Sequence, residues 1–324
     1  MDRTIRDVAQ VPCALWRGIE ALDESLAALP DWARLEARHA ITMTGELCDA
    51  FADRRAGVAE LCQWACHRLP GTMSIYAGRS GFIDPADIPA AAMDVASANW
   101  HATAQLVGRH LEQALLVDVG STTSDIVPVR DGLPRARGYS DAERLCTGEL
   151  VYAGVVRTPL MALTADVPFR GELIGVMAEY FATTADIYRL LGRLPEAADQ
   201  QEAADGRGKS VAETETRLAR MIGLDRVDAS LEEWRGLAAA FAEAQLARVE
   251  KVSARILDLS GLSPDAPIVG CGVGRFVASD LAERLGRPFR ELGRLVAPET
   301  GDMWISNCAP AVAVALLSAS SGHG

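Results

Sequence analysis

The sequence predicts a two-domain α/β protein in which a mostly parallel sheet is covered by helices. Three observations carry this. The 324 residues suffice for two domains of ordinary size. Strand-like and helix-like segments alternate through the first third of the chain, the order that builds parallel sheets. A hairpin pattern then opens a second unit: apolar runs flank Asp118-Val119-Gly120-Ser121-Thr122-Thr123-Ser124-Asp125 within Leu115–Val129.

Taken in order, Asp7–Leu15 has a strand-like pattern, and Ile19–Leu29 reads as an amphipathic helix stopped by Pro30. Ala40–Thr44 is a short strand, Arg54–Leu69 a helix, Met73–Ala77 a strand and Ile88–Arg109 one long helix. The domain boundary is expected at Arg109–Gln113, giving domains of residues 1–112 and 113–324. Beyond the hairpin, Leu145–Leu163 mixes loop and short helix, and Ile174–Leu191 reads as helix. Pro195–Ser210 reads as a surface loop, since it carries acidic residues, Gly206 and Gly208. Its Asp205–Ser210 run lacks the first glycine and the preceding strand of a P-loop. Val211–Ile222 and Leu231–Leu257 are helices, and Pro267–Gly270 is a strand running into a glycine turn. Helices over Arg275–Leu285 and Pro310–Leu317 close the chain.

Composition narrows the function. Hydrophobic residues make up 49% and charged residues 23%, as expected of a globular chain. The net charge of -12 argues against a nucleic-acid partner. No apolar run is long enough for a membrane span, and the first residues lack the apolar core of a signal peptide. Seven scattered cysteines argue against a disulfide framework, and the chain is expected to be cytoplasmic with reduced thiols. Cys62, Cys66 and His67 have the spacing of a helix face rather than of a metal or haem site, and read as core packing.

The chemistry concentrates in the hairpin. Gly120 lets the backbone pass close to a ligand. Ser121, Thr122 and Thr123 offer O–H and N–H donors to phosphate oxygens, and Asp118 and Asp125 can hold a hydrated Mg2+ bridging them. Val269-Gly270-Cys271-Gly272-Val273-Gly274 sits between a strand and a helix, where backbone can approach a ligand beside a helix N-terminus.

Hairpin first and glycine turn later, this order resembles the superfamily of sugar kinases, actin and chaperone ATPases. The resemblance implies two domains with mixed sheets flanked by helices, and a glycine turn that cradles adenosine through Gly270, Gly272 and Gly274. Further segments narrow it: Thr42–Asp49, Ser97–Trp100, Gly148–Pro159, Glu179–Arg189 and Arg217–Met221. Together with the hairpin they resemble a hydantoinase/oxoprolinase-related branch tied to tetrahydromethanopterin-linked one-carbon transfer, which includes ether-forming synthases of methanofuran biosynthesis. Members open with a strand and an Asp-x-Gly-Gly hairpin, so the first domain here is expected to lack its first two strands and first phosphate loop. Upstream coding sequence would supply roughly twenty residues at strand-like rise.

The resemblance implies a diphosphate-releasing transferase with small-molecule diphosphate and phenolic amine substrates. Mg2+ would sit on Asp118 and Asp125, and Arg157 would pair with a phosphate or a substrate carboxylate. Glu46, Glu149 and Asp186 are candidates to take the phenol proton. Each also has a structural reading: a helix cap for Glu46, an ion pair with Arg157 for Glu149, ordinary helix bonds for Asp186. ATP use and a homodimer stay open. The competing functions are an ATP-dependent kinase or hydrolase on this fold, and a non-catalytic nucleotide-binding protein.

Overall fold

The computed structural model describes residues 4–320. The first stretch runs α1 (Ala21–Ala28), β1 (Ala37–Ile41), α2 (Arg54–Arg68), β2 (Gly71–Tyr76), β3 (Phe82–Ile83), α3 (Ile88–Val95) and α4 (Asn99–His110). Then come β4 (Gln113–Val119), β5 (Ser124–Arg130), β6 (Leu133–Pro134), α5 (Asp141–Thr147), β7 (Leu150–Val151), β8 (Asp166–Phe169) and β9 (Glu172–Gly175). The remainder holds α6 (Thr184–Leu190), α7 (Val211–Arg220), α8 (Leu231–Ser260), β10 (Ile268–Cys271), α9 (Arg275–Arg284) and β11 (Phe289–Glu291). It ends in α10 (Leu292–Val296), α11 (Met303–Asn307) and α12 (Ala309–Ser320). The fold is mixed α/β.

Two compact units form, and they are not the two consecutive halves the sequence suggests. The first takes residues up to 114, then 127–147, then those from 292 onward; the second takes 115–126 and 148–291. The chain returns to the first unit because α12 completes a core there. Its Ala313, Val314 and Leu317 pack with Tyr76, Ala98, Ala102 and Leu106, and the Arg38 guanidinium donates to Ser318 O at 3.0 Å.

In the first unit, β1 and β2 pair in parallel from Ala37↔Gly71 to Ile41↔Ile75, and β3 lies antiparallel on β2. Gly71 is required there: at φ +112, a Cβ would stand 2.0 Å from Ala37 O. Asp53 caps α2 by accepting the Ala56 N–H at 2.9 Å. The helix turns Val58 and Cys62 onto Ile75 and Val95, so Cys62 is core as expected, whereas Cys66, expected to be buried with it, is exposed one turn later. Two expectations change. Asp7–Leu15 forms no strand: Pro12 offers no N–H, and the Ser25 hydroxyl holds Pro12 O at 3.0 Å. The single helix expected over Ile88–Arg109 breaks into α3 and α4 at Ser97, whose φ is 52.

In the second unit, β10 runs parallel to β4 from Ile268↔Leu115 to Cys271↔Asp118, with β11 on its other side. Strand β5 neighbours β4 and pairs antiparallel with β7 at Ser124↔Val151 and Asp125↔Leu150. Helix α8 starts from a Ser230/Glu233 capping box and ends at Gly261 in the left-handed region. Its Trp234 stacks on Phe169 with ring centroids 5.5 Å apart. Burying a large apolar side chain of this kind contributes about 1.5–3 kcal/mol. The helix expected over Ile174–Leu191 shrinks to α6, because Glu172–Gly175 is drawn into a hairpin with β8. That hairpin turns on Arg170 and Gly171, both at positive φ, and Arg170 is anchored to Glu233 at 2.7 Å. Among the described residues no helix is long and apolar enough to cross a membrane.

Candidate functional site

Strand β4 delivers Asp118 to the mouth of the hairpin, and β5 leaves it with Asp125; the two carboxylates are 7% and 8% exposed. Gly120 N–H donates to Thr123 O at 2.8 Å and closes the turn. The accounting of backbone groups then becomes one-sided. Gly120 O accepts from Val155 N–H, Ser121 O from Val156 and Arg157, and Thr122 O from Gly154, at 2.8 to 3.0 Å. Every carbonyl from Gly120 to Thr123 is thus taken by protein donors. The N–H groups of Ser121, Thr122 and Thr123 meet no protein acceptor among the described residues. A turn with satisfied carbonyls and unsatisfied amides is an oxyanion cradle.

The 153–158 segment that consumes the carbonyls is part of the site, and sequence reasoning passed over its backbone role. Gly154 is obligatory: a Cβ there would lie 2.4 Å from Ser121 C and Thr122 N. Thr158 Oγ1 accepts the Gly154 N–H at 2.9 Å. From α8, Gln245 Nε2 donates to Ala153 O at 2.7 Å and Gly154 O at 3.1 Å, while the Tyr188 hydroxyl donates to its Oε1 at 2.8 Å.

The glycine turn packs onto the same hairpin. Gly274 N–H donates to Val119 O at 2.8 Å. At Gly272, with φ +79, a Cβ would stand 2.2 Å from Val119 O and 2.6 Å from Asp118 Oδ1. Gly274 is pressed equally by Val119 and Val155 side chains at 2.6 Å, and Gly270 by Phe289 at 2.6 Å. Gly272 and Gly274 are therefore explained by close approach to the end of β4, and Gly270 by the Phe289 ring of β11. Gly120 is different. Its φ lies outside the left-handed region, and a Cβ would touch only Thr123 O at 3.5 Å. Nothing in the protein demands a glycine there, which leaves the space beside the cradle as what a side chain would fill.

Cys271, between Gly270 and Gly272, adds a group the sequence did not single out. Burial first, then the charge and hydrogen bond of Asp118 and the charge of Asp125, push its thiol well above the ordinary range. The thiol stays protonated beside the Asp118 carboxylate. Arg275, in the first turn of α9, opposes this with positive charge and is paired with Glu291 at 2.7 Å.

The donor set suits a magnesium ion. Asp118 and Asp125, at the two strand ends that flank the turn, supply hard carboxylate oxygens. Among the described residues no three His, Cys, Asp or Glu side chains gather at metal-binding distance. Two carboxylates with ligand oxygens and waters completing the shell is how Mg2+ is usually held, whereas an all-protein cage is not.

The remaining sequence candidates are distributed as follows. Arg157 donates its N–H to Ser121 O at 2.8 Å, with its side chain exposed beside the hairpin. Glu149 is buried at the entry to β7, and its carbonyl accepts the Ile126 N–H at 2.9 Å. Asp186 has both oxygens committed: Oδ2 to Thr183 N–H at 3.0 Å, Oδ1 to Arg189 at 2.9 Å and Arg217 at 2.8 Å. Glu46 belongs to the first unit. There Ser97 Oγ donates to its Oε1 at 2.7 Å, and its Oε2 is buried without a partner.

Residues 38–318 match the family model of the hydantoinase/oxoprolinase family. The chain belongs to this family. Two curated relatives share one name, (4-{4-[2-(gamma-L-glutamylamino)ethyl]phenoxymethyl}furan-2-yl)methanamine synthase. The one from Methanocaldococcus jannaschii is 34% identical over 188 residues, covering 58% of this chain. The match spans only 57% of that relative's own length. The one from Methanococcus vannielii is 28% identical over 215 residues, which is 66% of this chain and 95% of the relative. Among solved structures, nucleotide-free acetone carboxylase aligns with a TM-score of 0.48 at 15% identity, over 72% of this hydantoinase/oxoprolinase chain and 35% of the carboxylase. That likeness is too loose to transfer a site.

Proposed function

We propose that this hydantoinase/oxoprolinase-family chain is a transferase that forms an ether between the phenol of a glutamyl-tyramine-type substrate and the methylene of an aminomethylfuran methyl diphosphate, in methanofuran-type one-carbon carrier biosynthesis. The observation that carries it is the hairpin cradle, in which the amides of Ser121, Thr122 and Thr123 lie between two carboxylates. It is joined by the name borne by both relatives.

In this reading the phenol oxygen bonds to the methylene carbon as the carbon–oxygen bond to diphosphate breaks. The bonding electron pair leaves with diphosphate, and the phenol proton passes to a carboxylate. The three amides, with the hydroxyls of Ser121 and Thr123, meet the charge that builds on the departing oxygens without reorganising, because the backbone behind them is fixed by Gly154–Arg157. Mg2+ held by Asp118 and Asp125 would neutralise part of that charge. Arg157, exposed beside the turn, would pair with a phosphate or with the glutamyl carboxylate through its planar fork. For the phenol proton, Asp186 is the weakest candidate because both its oxygens are occupied. Glu149, buried in the same unit as the hairpin, is kept as a candidate, and so is Glu46 of the first unit, which has an oxygen without a partner.

A nucleotide reading has no observation of its own in its favour, since packing alone accounts for Gly270, Gly272 and Gly274. The test is to incubate the protein with both substrates and Mg2+ in the absence of nucleotide. Ether and diphosphate should appear in equal amounts. Absence of both, or ADP formed in step with product when ATP is supplied, would overturn the proposal.

A further inference from the structure

A cavity of about 610 Å³ is lined wholly by residues of the first unit, none of them a residue of the hairpin site. Its volume falls in the range of small-molecule sites. Tyr76 and His101, 3% and 8% exposed, form part of its wall, and Phe82 meets the Tyr76 ring edge-on at 5.2 Å. Leu133, Pro134 and Leu317 add apolar surface.

The polar groups of this cavity are nearly all donors. Arg79 and Arg109 both line it, and neither guanidinium has an ion pair among the described residues. In a chain of net charge -12 with 44 acidic residues, two unpaired arginines at one cavity are conspicuous. Arg79 is held in place rather than loose. It sits 5.1 Å over the Tyr139 ring, on a turn where a Cβ at Gly78 would collide with the Tyr139 hydroxyl. The Tyr139 hydroxyl is itself fixed by donating to Asp94 O at 2.7 Å.

His101 completes the donor set. The buried Tyr76 hydroxyl and His101 Nδ1 share a hydrogen bond at 2.9 Å; in the tautomer whose Nδ1 accepts from the phenol, the ring proton sits on Nε2. Nε2 has no partner among the described residues. Burial, followed by the charge of Arg79, pushes His101 down to about 4, so the ring is neutral at physiological pH. The cavity therefore presents an imidazole N–H, two guanidinium forks and the Gln105 amide beside aromatic walls.

We propose that this pocket binds a small aromatic oxyanion, an aryl carboxylate or aryl phosphate, with its ring against Tyr76 and Phe82 and its oxygens on Arg79, Arg109 and His101 Nε2. Planar forks match carboxylate and phosphate oxygens in pairs, and the apolar walls favour an aryl group over a bare anion. The site is independent of the hairpin reading.

The test is calorimetric titration of the intact protein with 4-hydroxyphenylacetate and with phenyl phosphate, using inorganic phosphate and the neutral 4-hydroxyphenethyl alcohol as comparisons. Saturable binding of at least one aryl anion, tighter than either comparison, is expected. The two arginines are exposed, so an Arg79→Gln/Arg109→Gln double variant should fold normally and bind at least about tenfold more weakly, as the loss of charge-assisted hydrogen bonds requires. A Thr123→Ala variant of the hairpin should bind unchanged. No saturable binding into the millimolar range, equal binding of the alcohol, or unaltered affinity in the double variant would each overturn the proposal. So would a loss confined to the hairpin variant, which would instead place the aryl anion at the cradle.

Discussion

Replacing Asp118 with asparagine is expected to lower diphosphate release by about 10²–10³-fold, the usual cost of removing one preorganised electrostatic contributor from a reacting centre. The substitution keeps the shape of the side chain and removes only its charge, so the fold should survive. What is lost is a charge that is 7% exposed and lies on a cradle whose amides have no protein acceptor. A steady-state assay of diphosphate release, beside a melting curve to confirm folding, checks this. Turnover within a fewfold of the parent would remove Asp118 from the metal role.

The second large effect concerns stability. Arg217 is fully buried and links four partners: Asp186 at 2.8 Å, Asp205 and Gly208 O at 3.0 Å, and Thr214 Oγ1 at 3.3 Å. Changing it to methionine fills much of the volume but strands these groups. Stability should fall by about 3 kcal/mol or more, because a buried ion network broken on one side leaves uncompensated charge. Asp186 keeps Arg189 at 2.9 Å, which limits the loss. Urea unfolding with an unchanged slope measures it. A loss below about 1 kcal/mol would mean the network behaves like a surface ion pair.

The hairpin was legible in the sequence because its chemistry is local. An apolar run, a carboxylate, a glycine and three hydroxyl residues announce their own turn, and Asp118 and Asp125 fall where the pattern puts them. The support behind it was not legible. Gly154–Arg157 acts through backbone N–H groups, which every residue type carries, and Gln245 reaches it from a distant helix. Sequence periodicity also ran through real breaks. Ser97 interrupts a continuous apolar helix pattern at positive φ while its hydroxyl bonds Glu46. Residues 174–175 read as the start of a helix until strand β8 offers them a partner. The division into units was hidden for the same reason, since the apolar face of α12 does not say which core it will complete.

The glycine turn changed most in meaning. In the sequence Gly270, Gly272 and Gly274 suggested space for a ligand, whereas in the structure each is crowded by the protein itself, Gly272 and Gly274 at the hairpin and Gly270 at Phe289. Compared with these three, Gly120 has open space beside it, which moves attention from the turn to the cradle.

The most direct measurement is a titration of isotope-labelled protein with magnesium diphosphate, followed through its backbone amide resonances. The amides of Ser121, Thr122 and Thr123 should shift in a saturable, Mg2+-dependent manner, and Asp118→Asn should weaken the response. Shifts confined to Gly270–Gly274 or to the arginine-lined cavity, with the three hairpin amides unmoved, would contradict a diphosphate grip at the hairpin.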